Sequence, residues 1–296
     1  MNIKKIANVV IPIILVSVIG IALYKVITIQ MEYQEAEEEY NELAAYIIEV
    51  PIESSEQPIQ NDIDEVGKEV IQIPEDEGGL DEAQERAPLK EMGQDAGPDV
   101  QTAQAVTRYI DEEGLRAVNG DYCAWLRIPV LNISYPLVAG TDNEYYLHHT
   151  FEKKYNGAGC LFVDCETAAD FSDRNTFIYG HNMKNGSMFG GLKRFRREQG
   201  LCAADPYFYI HRGTTVYQYE IFAYYTTEYT SNTYRLIDTE EEYDLYVSEA
   251  LRLTEYVPSH PLDFSQRPDI VTLSTCSGAG GTTERMVVHG VLVNVE

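Results

Sequence analysis

Three residues of the kinds that together perform acyl transfer stand at the ends of strand-like runs. Cys276 closes the apolar run Ile270-Val-Thr-Leu-Ser-Thr-Cys, Arg285 follows nine residues later, and His181 comes just after Asn175-Thr-Phe-Ile-Tyr179-Gly. A thiol attacks an amide carbonyl only as its thiolate, so a nearby positive group must favour the anion. A charged His181 does this and can then protonate the departing amine. The tetrahedral intermediate carries an oxyanion, and Arg285, with five N–H donors and a permanent charge, suits it. No Asp or Glu near either motif offers itself as a third triad member, so a papain-like or serine-protease-like arrangement fits less well. Each residue alone also has a bland reading, the cysteine as a small core hydrophobe, the histidine as a satisfied surface residue and the arginine as a rim charge. His148, His149, His211, His260 and His289 lack such context and are read as structural.

The elements that must position these residues lie in the last 190 or so positions, ample for one domain. Runs rich in β-branched and aromatic residues occur at Trp125–Ile128, Ile133–Val138, Cys160–Val163, Thr176–Tyr179, Tyr207–His211, Thr215–Tyr225, Ile270–Thr275 and Arg285–Val295. Many short strands with few helices imply a barrel or a sandwich. Thr107 to Val118 reads as a short lead-in helix. A second helix is expected over Thr239–Leu253, where Thr239 and Glu242 match a capping box and Tyr243, Tyr246, Val247, Ala250 and Leu251 share one face.

The first hundred residues are poor material for a core. Ile6 to Tyr24 is an uncharged, mostly aliphatic run of 19 residues, extended to Ile29 if the helix continues past Lys25. At about 1.5 Å per residue it spans a hydrocarbon layer of roughly 30 Å. Lys4 and Lys5 precede it and acid follows, so the positive-inside rule puts residues 1–5 in the cytoplasm, 6–29 in the membrane and the rest outside. A cleaved signal peptide is the alternative, but the run exceeds the roughly 7–15 residues of a usual signal core and lacks a small-x-small site. From Met31 to Ala105 there are 22 Asp or Glu against Lys68, Arg86 and Lys90, most of the chain's net charge of −26. Residues 30–105 therefore read as a solvated acidic stalk, with Glu32 to Ile48 continuing the helix and Pro51, Pro58, Pro74, Pro88 and Pro98 breaking it afterwards. A chain starting near Ala105 is then expected to fold alone as a monomer. Such acidity also weighs against nucleic acid as a partner.

The His181 and Cys276 segments resemble those of the class B sortases, and the resemblance covers roughly the last 190 residues. Trp125-Leu-Arg-Ile128, Ile133-Ser-Tyr-Pro136-Leu-Val, Asn143-Glu-Tyr-Tyr-Leu147, Gly159-Cys-Leu-Phe-Val-Asp164 and Tyr179-Gly-His-Asn-Met follow in the family's order and approximate spacing. The resemblance implies a mostly β fold, a closed barrel with few short helices, one of them before the cysteine strand and helping to wall the groove. It implies Cys276, His181 and Arg285 as the catalytic set with no acid, and Ser274, Thr275, Tyr179, Asn143 and Leu147 as contacts to a sorting-signal peptide. Further wall residues are expected within Thr254–Leu262. Two departures stand out: Ser277 replaces a common Asp, and Val130-Leu131-Asn132 replaces a common Gly-Thr turn.

The implied enzyme is a membrane-anchored cysteine transpeptidase of a Gram-positive-type bacterium. It would cleave a surface protein's C-terminal sorting signal after a Thr, hold a thioester, and pass it to an amine of a peptidoglycan precursor. A pilin-polymerising sortase and a catalytically silent binding module on the same fold are the alternatives. Cys123, Cys160, Cys165 and Cys202 permit disulfides in an exported domain, with the Cys160–Cys165 pairing left open. The cysteine spacing fits neither a zinc site nor a redox motif, so no metal or cofactor is expected. The topology has a direct check: protease added to intact protoplasts should remove the C-terminal domain and spare the N-terminus. Full protection of the domain would reverse the assignment.

Overall fold

The computed structural model describes residues 3–51, 106–276 and 283–296. One long helix, α1 (Ile3–Leu43), takes in the apolar run and the first acidic turns without a break. From Ile11 to Met31 its large aliphatic side chains are exposed, and by length and composition this is the helix among the described residues that could cross a membrane. After α1 the chain forms β1 (Ile47–Pro51), paired with β2 (Val106–Ile110), and then α2 (Glu112–Val118). The lead-in helix expected from Thr107 thus starts five residues late. Val106-Thr-Arg-Tyr-Ile110 carries β-branched and aromatic residues that find a partner in β1, and the Asp111 carboxylate then caps α2 by accepting from the Gly114 amide.

The eight expected strand runs form β3 (Tyr122–Ile128), β4 (Ile133–Ala139), β5 (Leu161–Val163), β6 (Asn175–Tyr179), β7 (Tyr207–Arg212), β8 (Thr215–Glu228), β9 (Ile270–Cys276) and β10 (Glu284–Val295). They close into a barrel in the order β10-β8-β7-β3-β4-β5-β6-β9. Most pairs are antiparallel, whereas β4–β5 and β6–β9 are parallel. Side chains alternate across β9 and β10. Val271, Leu273, Met286 and Val288 fill the interior, while Ile270, Val287 and Val291 join Phe222 and Tyr225 on the outer face. That outer face is covered by a helix, which explains why these strands read as nearly continuous apolar runs.

The covering helix is the one expected before the cysteine strand. Two short helical turns, α3 (Arg194–Arg197) and α4 (Leu201–Ala204), precede it, and it forms as α5 (Glu240–Leu253) with the Thr239–Glu242 capping box in place. It buries Tyr243, Tyr246, Val247 and Ala250 against β8 and β10. A large side chain buried in this way contributes roughly 1.5–3 kcal/mol by leaving water.

The acidic stalk reading fails over its first turns. Ala36, Tyr40 and Leu43 of α1 are buried in the main core. Tyr40 donates its hydroxyl to the Gly159 carbonyl at 2.7 Å, and the Glu32 carbonyl accepts from Asn156 Nδ2 at 2.9 Å. Glu39 is only 5% exposed, yet it accepts from Thr150 Oγ1 at 2.8 Å and from the Glu152 amide at 2.9 Å. Those two donors let a carboxylate sit in a packed contact that composition alone would assign to water. The Asp111 amide also donates to the Tyr46 carbonyl at 2.9 Å, so the chain leaves and re-enters at adjoining positions. The rest of the expected stalk, residues 52–105, lies outside the described residues.

Removing everything before Val106 therefore uncovers the apolar surface under Tyr40 and Leu43, and that shortened chain is expected to lose stability. On a chain that keeps residues 31–51, Leu43→Ala should cost about 2–5 kcal/mol and Tyr40→Phe about 1 kcal/mol, read from urea unfolding. Burial holds the Glu39 carboxyl above its ordinary value of 4.5. Its contribution is therefore fullest below the unfolded value and declines as pH rises through the folded one. Glu39→Gln should flatten that part of the pH dependence, and wild-type slope in this variant would contradict the assignment.

Candidate active site

Strand register brings the three sequence-nominated residues together. In the parallel β6–β9 pair Tyr179 lies opposite Ser274, and the Gly180 amide extends the ladder by donating to the Ser274 carbonyl at 3.2 Å. His181 and Cys276 each stand two residues further along, so they fall at the same end of neighbouring strands. In the antiparallel β9–β10 pair Arg285 is the partner of Cys276 itself. The order β6-β9-β10 thus sets imidazole, thiol and guanidinium residues on three adjacent strands at one rim of the barrel.

The histidine is held in a defined tautomer. His181 Nε2 lies 2.7 Å from the Leu147 carbonyl oxygen, which can only accept, so Nε2 carries a hydrogen. The proton that titrates is then the one on Nδ1. Gly159, at φ +62, lies close against the ring: a Cβ there would come within 3.1 Å of His181 Cδ2 and closer still to the Tyr146 carbonyl. Only glycine meets both the left-handed backbone and this approach. Burial lowers the His181 pKa, an effect that the Leu147 carbonyl partly offsets and the charge of His148 reinforces.

Arg285 is half-buried, with its guanidinium 5.7 Å from the Tyr229 ring centroid and Nη1 donating to the Glu284 carbonyl at 3.1 Å. A cavity of about 490 Å³ opens beside it and is shared by His181 and Arg285. Such a rim, with a cysteine between an acid-base group and a fixed cation, can form and break an acyl-sulfur bond.

The sortase domain profile matches residues 126–293, more than half of the chain. The chain belongs to the sortase family, class B. It is 37% identical over 184 residues to the sortase B of Listeria monocytogenes, covering 60% of this chain and 72% of that protein. Among solved structures, sortase B of Clostridium perfringens superposes with a TM-score of 0.58 at 31% identity, covering 62% of this chain and all of that one. A substrate complex of the Staphylococcus aureus sortase B gives 0.56 at 26% identity, over 62% of this chain and 84% of that one. Sortases are cysteine transpeptidases, so the enzyme class follows for this chain.

In this sortase the nominated contact residues Asn143, Leu147, Tyr179, Ser274 and Thr275 all line the cavity. Several are already engaged. Asp164 accepts from Tyr179 Oη at 2.7 Å and from Asn143 Nδ2 at 3.1 Å, which fixes that wall. Ser274 is buried with its hydroxyl 2.7 Å from Tyr234 Oη, so it supports the wall through Tyr234. Thr275 Oγ1 is buried with no hydrogen-bond partner among the described residues.

The outer wall differs from expectation. Among the described residues that line the cavity none comes from α5, and Glu255, of 254–262, borders the neighbouring cavity. Tyr229 and Tyr234, from the connection before α5, form the wall instead. Apolar helix residues are spent on the β8–β10 face, which leaves the preceding turn free to lean over the strand ends. The capping box marked where that turn stops, a signal that could have nominated the aromatics just before it. Cys123, Cys160 and Cys202 are buried free thiols and Cys165 is an exposed one, so Cys160 and Cys165 are not joined.

Lowering the His181 pKa separates it further from a thiol's ordinary value of about 8.5. Burial thus favours the neutral imidazole. The pH profile of kcat/KM should be bell-shaped, its acid limb reporting the imidazole and lying below the ordinary 6.5. An acid limb clearly above 6.5 would mean that the ring gains a partner in solution that the fold does not supply.

Proposed function

We propose that this chain is a membrane-anchored transpeptidase in which Cys276 is the nucleophile, His181 the acid-base group and Arg285 the oxyanion donor. The observation that carries the reading is the pairing of Arg285 with Cys276 beside the strand that leads to His181, at the mouth of one cavity. The Cys276 thiolate attacks the carbonyl carbon of a sorting-signal peptide bond following a Thr. As the C–S bond forms and the C–N bond breaks, His181 gives its Nδ1 proton to the leaving nitrogen. The thioester remains on Cys276 and the imidazole is neutral.

An amine of a peptidoglycan precursor then attacks the thioester carbon. The new C–N bond forms, the C–S bond breaks, and the surplus amine proton passes to His181, which restores thiolate and imidazolium. Arg285 stabilises the oxyanion in both halves. The apolar run of α1 serves as a single-pass anchor with the barrel on the outer face of the membrane, and the enzyme acts as a monomer.

Substitutions separate the three roles. Cys276→Ala should abolish cleavage and acyl-enzyme, and His181→Ala should be nearly as damaging because both ion pair and leaving-group acid are lost. Arg285→Lys keeps the charge but not the fork of donors, and loss of one oxyanion donor costs on the order of 10²–10³ in rate. Turnover of a labelled sorting-signal peptide, with mass spectrometry for the thioester, measures all three. Near-normal turnover in Arg285→Lys would reduce that residue to a generic charge, and a thioester in Cys276→Ala would overturn the mechanism.

A further inference from the structure

A second cavity, of about 300 Å³, adjoins the strand ends beside the groove. Its lining includes Asn182, Thr275 and Met286, each the immediate chain neighbour of one of the three proposed catalytic residues. Thr275 and Met286 are cross-strand partners whose side chains are buried on the interior side, whereas Arg285 faces the groove. Thr275 borders both cavities. One wall is therefore shared between the place where the acyl group is held and this second space.

The remaining lining is Lys193, Arg196, Arg197 and Glu255. In a chain of net charge −26, four of the 22 basic residues fall within positions 193–197. Arg194 is paired with Glu198, and Arg196 with Glu255 at 2.8 Å. Lys193 donates only to the neutral Asn182 Oδ1 at 3.1 Å, and no carboxylate among the described residues pairs with it or with Arg197. Burial and the neighbouring Arg197 charge lower the Lys193 pKa, as expected of two cations facing one space whose one lining carboxylate, Glu255, is paired with Arg196. The groove has the opposite bias, with Glu144, Asp164 and Glu166 in its lining.

We propose that this basic cavity is the acceptor subsite, and that it binds an oxyanion, a carboxylate or a phosphate, carried by the incoming amine. The proposal rests on the transpeptidase reading. Charge then sorts the two substrates: the acidic groove disfavours an anionic acceptor, and Lys193 with Arg197 holds it across the shared Thr275 wall. The anchored amine attacks the thioester from that side, with bonds and protons exchanged as in the second half-reaction above.

The test uses the whole ectodomain, a sorting-signal peptide as donor, and triglycine or triglycinamide as acceptor, and it reads amide product against hydrolysis product. With triglycine this ratio should exceed that with triglycinamide. Arg197→Ala and Lys193→Gln should each lower the triglycine advantage about tenfold, and Arg197→Lys should recover most of it. Because the ratio is internal to each variant, partial misfolding does not mimic the effect. Suppression of transfer by inorganic phosphate well beyond that by acetate assigns the site to a phosphate, and equal suppression to a carboxylate. Amide products formed without charge preference, or equal losses for both acceptors, would overturn the subsite and leave the transpeptidase reading intact. Hydrolysis without transfer to either acceptor would remove both.

Discussion

The parallel pairing of β6 with β9 is the constraint on which the site depends. Antiparallel neighbours end at opposite rims, so two residues that each follow a strand would be separated by the length of the sheet. Because these two strands run the same way, the residues after Tyr179 and Ser274 emerge at one rim. The antiparallel β10 then begins where β9 stops, which delivers Arg285 opposite Cys276. A slip of one residue in the β9–β10 ladder would turn Arg285 from the groove to the barrel interior. Register is held against such a slip by burial on both faces of β9 and β10, inside the barrel and under α5.

That rim is braced from outside the barrel. His181 hangs on the Leu147 carbonyl, and Gly159 packs against its ring. Gly159 is in turn bonded to Tyr40 of α1, and the intervening loop is gripped at Thr150 and Glu152 by Glu39. The helix and the imidazole are thus joined by a short series of hydrogen bonds and close contacts. Arg285 rests on Tyr229, and Tyr234 on Ser274, so the groove wall is fixed by aromatic contacts to the same strand ends.

Strand runs and the capping box were legible because burial and cap chemistry act over a few residues. All eight barrel strands and α5 follow the periodicity and residue types read along the chain, with ends shifted by at most three residues. The barrel's closure followed from family resemblance, since alternation alone admits a sandwich as well. Glu39 was read as solvated because its two donors are more than a hundred residues away in sequence, and β2 was read as helix because its partner β1 lies across residues 52–105. Tyr229 and Tyr234 escaped notice for the same reason: nothing local shows that a turn before a helix leans over a distant strand. Ser274 was named as a groove contact, and its hydroxyl meets Tyr234, a pairing between segments forty residues apart.

The unbroken run of α1 from its exposed aliphatic stretch to its packed turns has a geometric meaning for the work of the enzyme. Between Tyr24 and Tyr40 a continuous helix rises about 24 Å, and Tyr40 is clasped by the barrel at Gly159. On the proposed anchoring, with the aliphatic stretch seated in a bilayer, the helix would hold the barrel on a stiff mast of fixed height. Encounter with cargo and acceptor then becomes a lateral search in one plane, in which partners also tied to the surface arrive at the level of the rim while freely diffusing ones gain nothing from the arrangement.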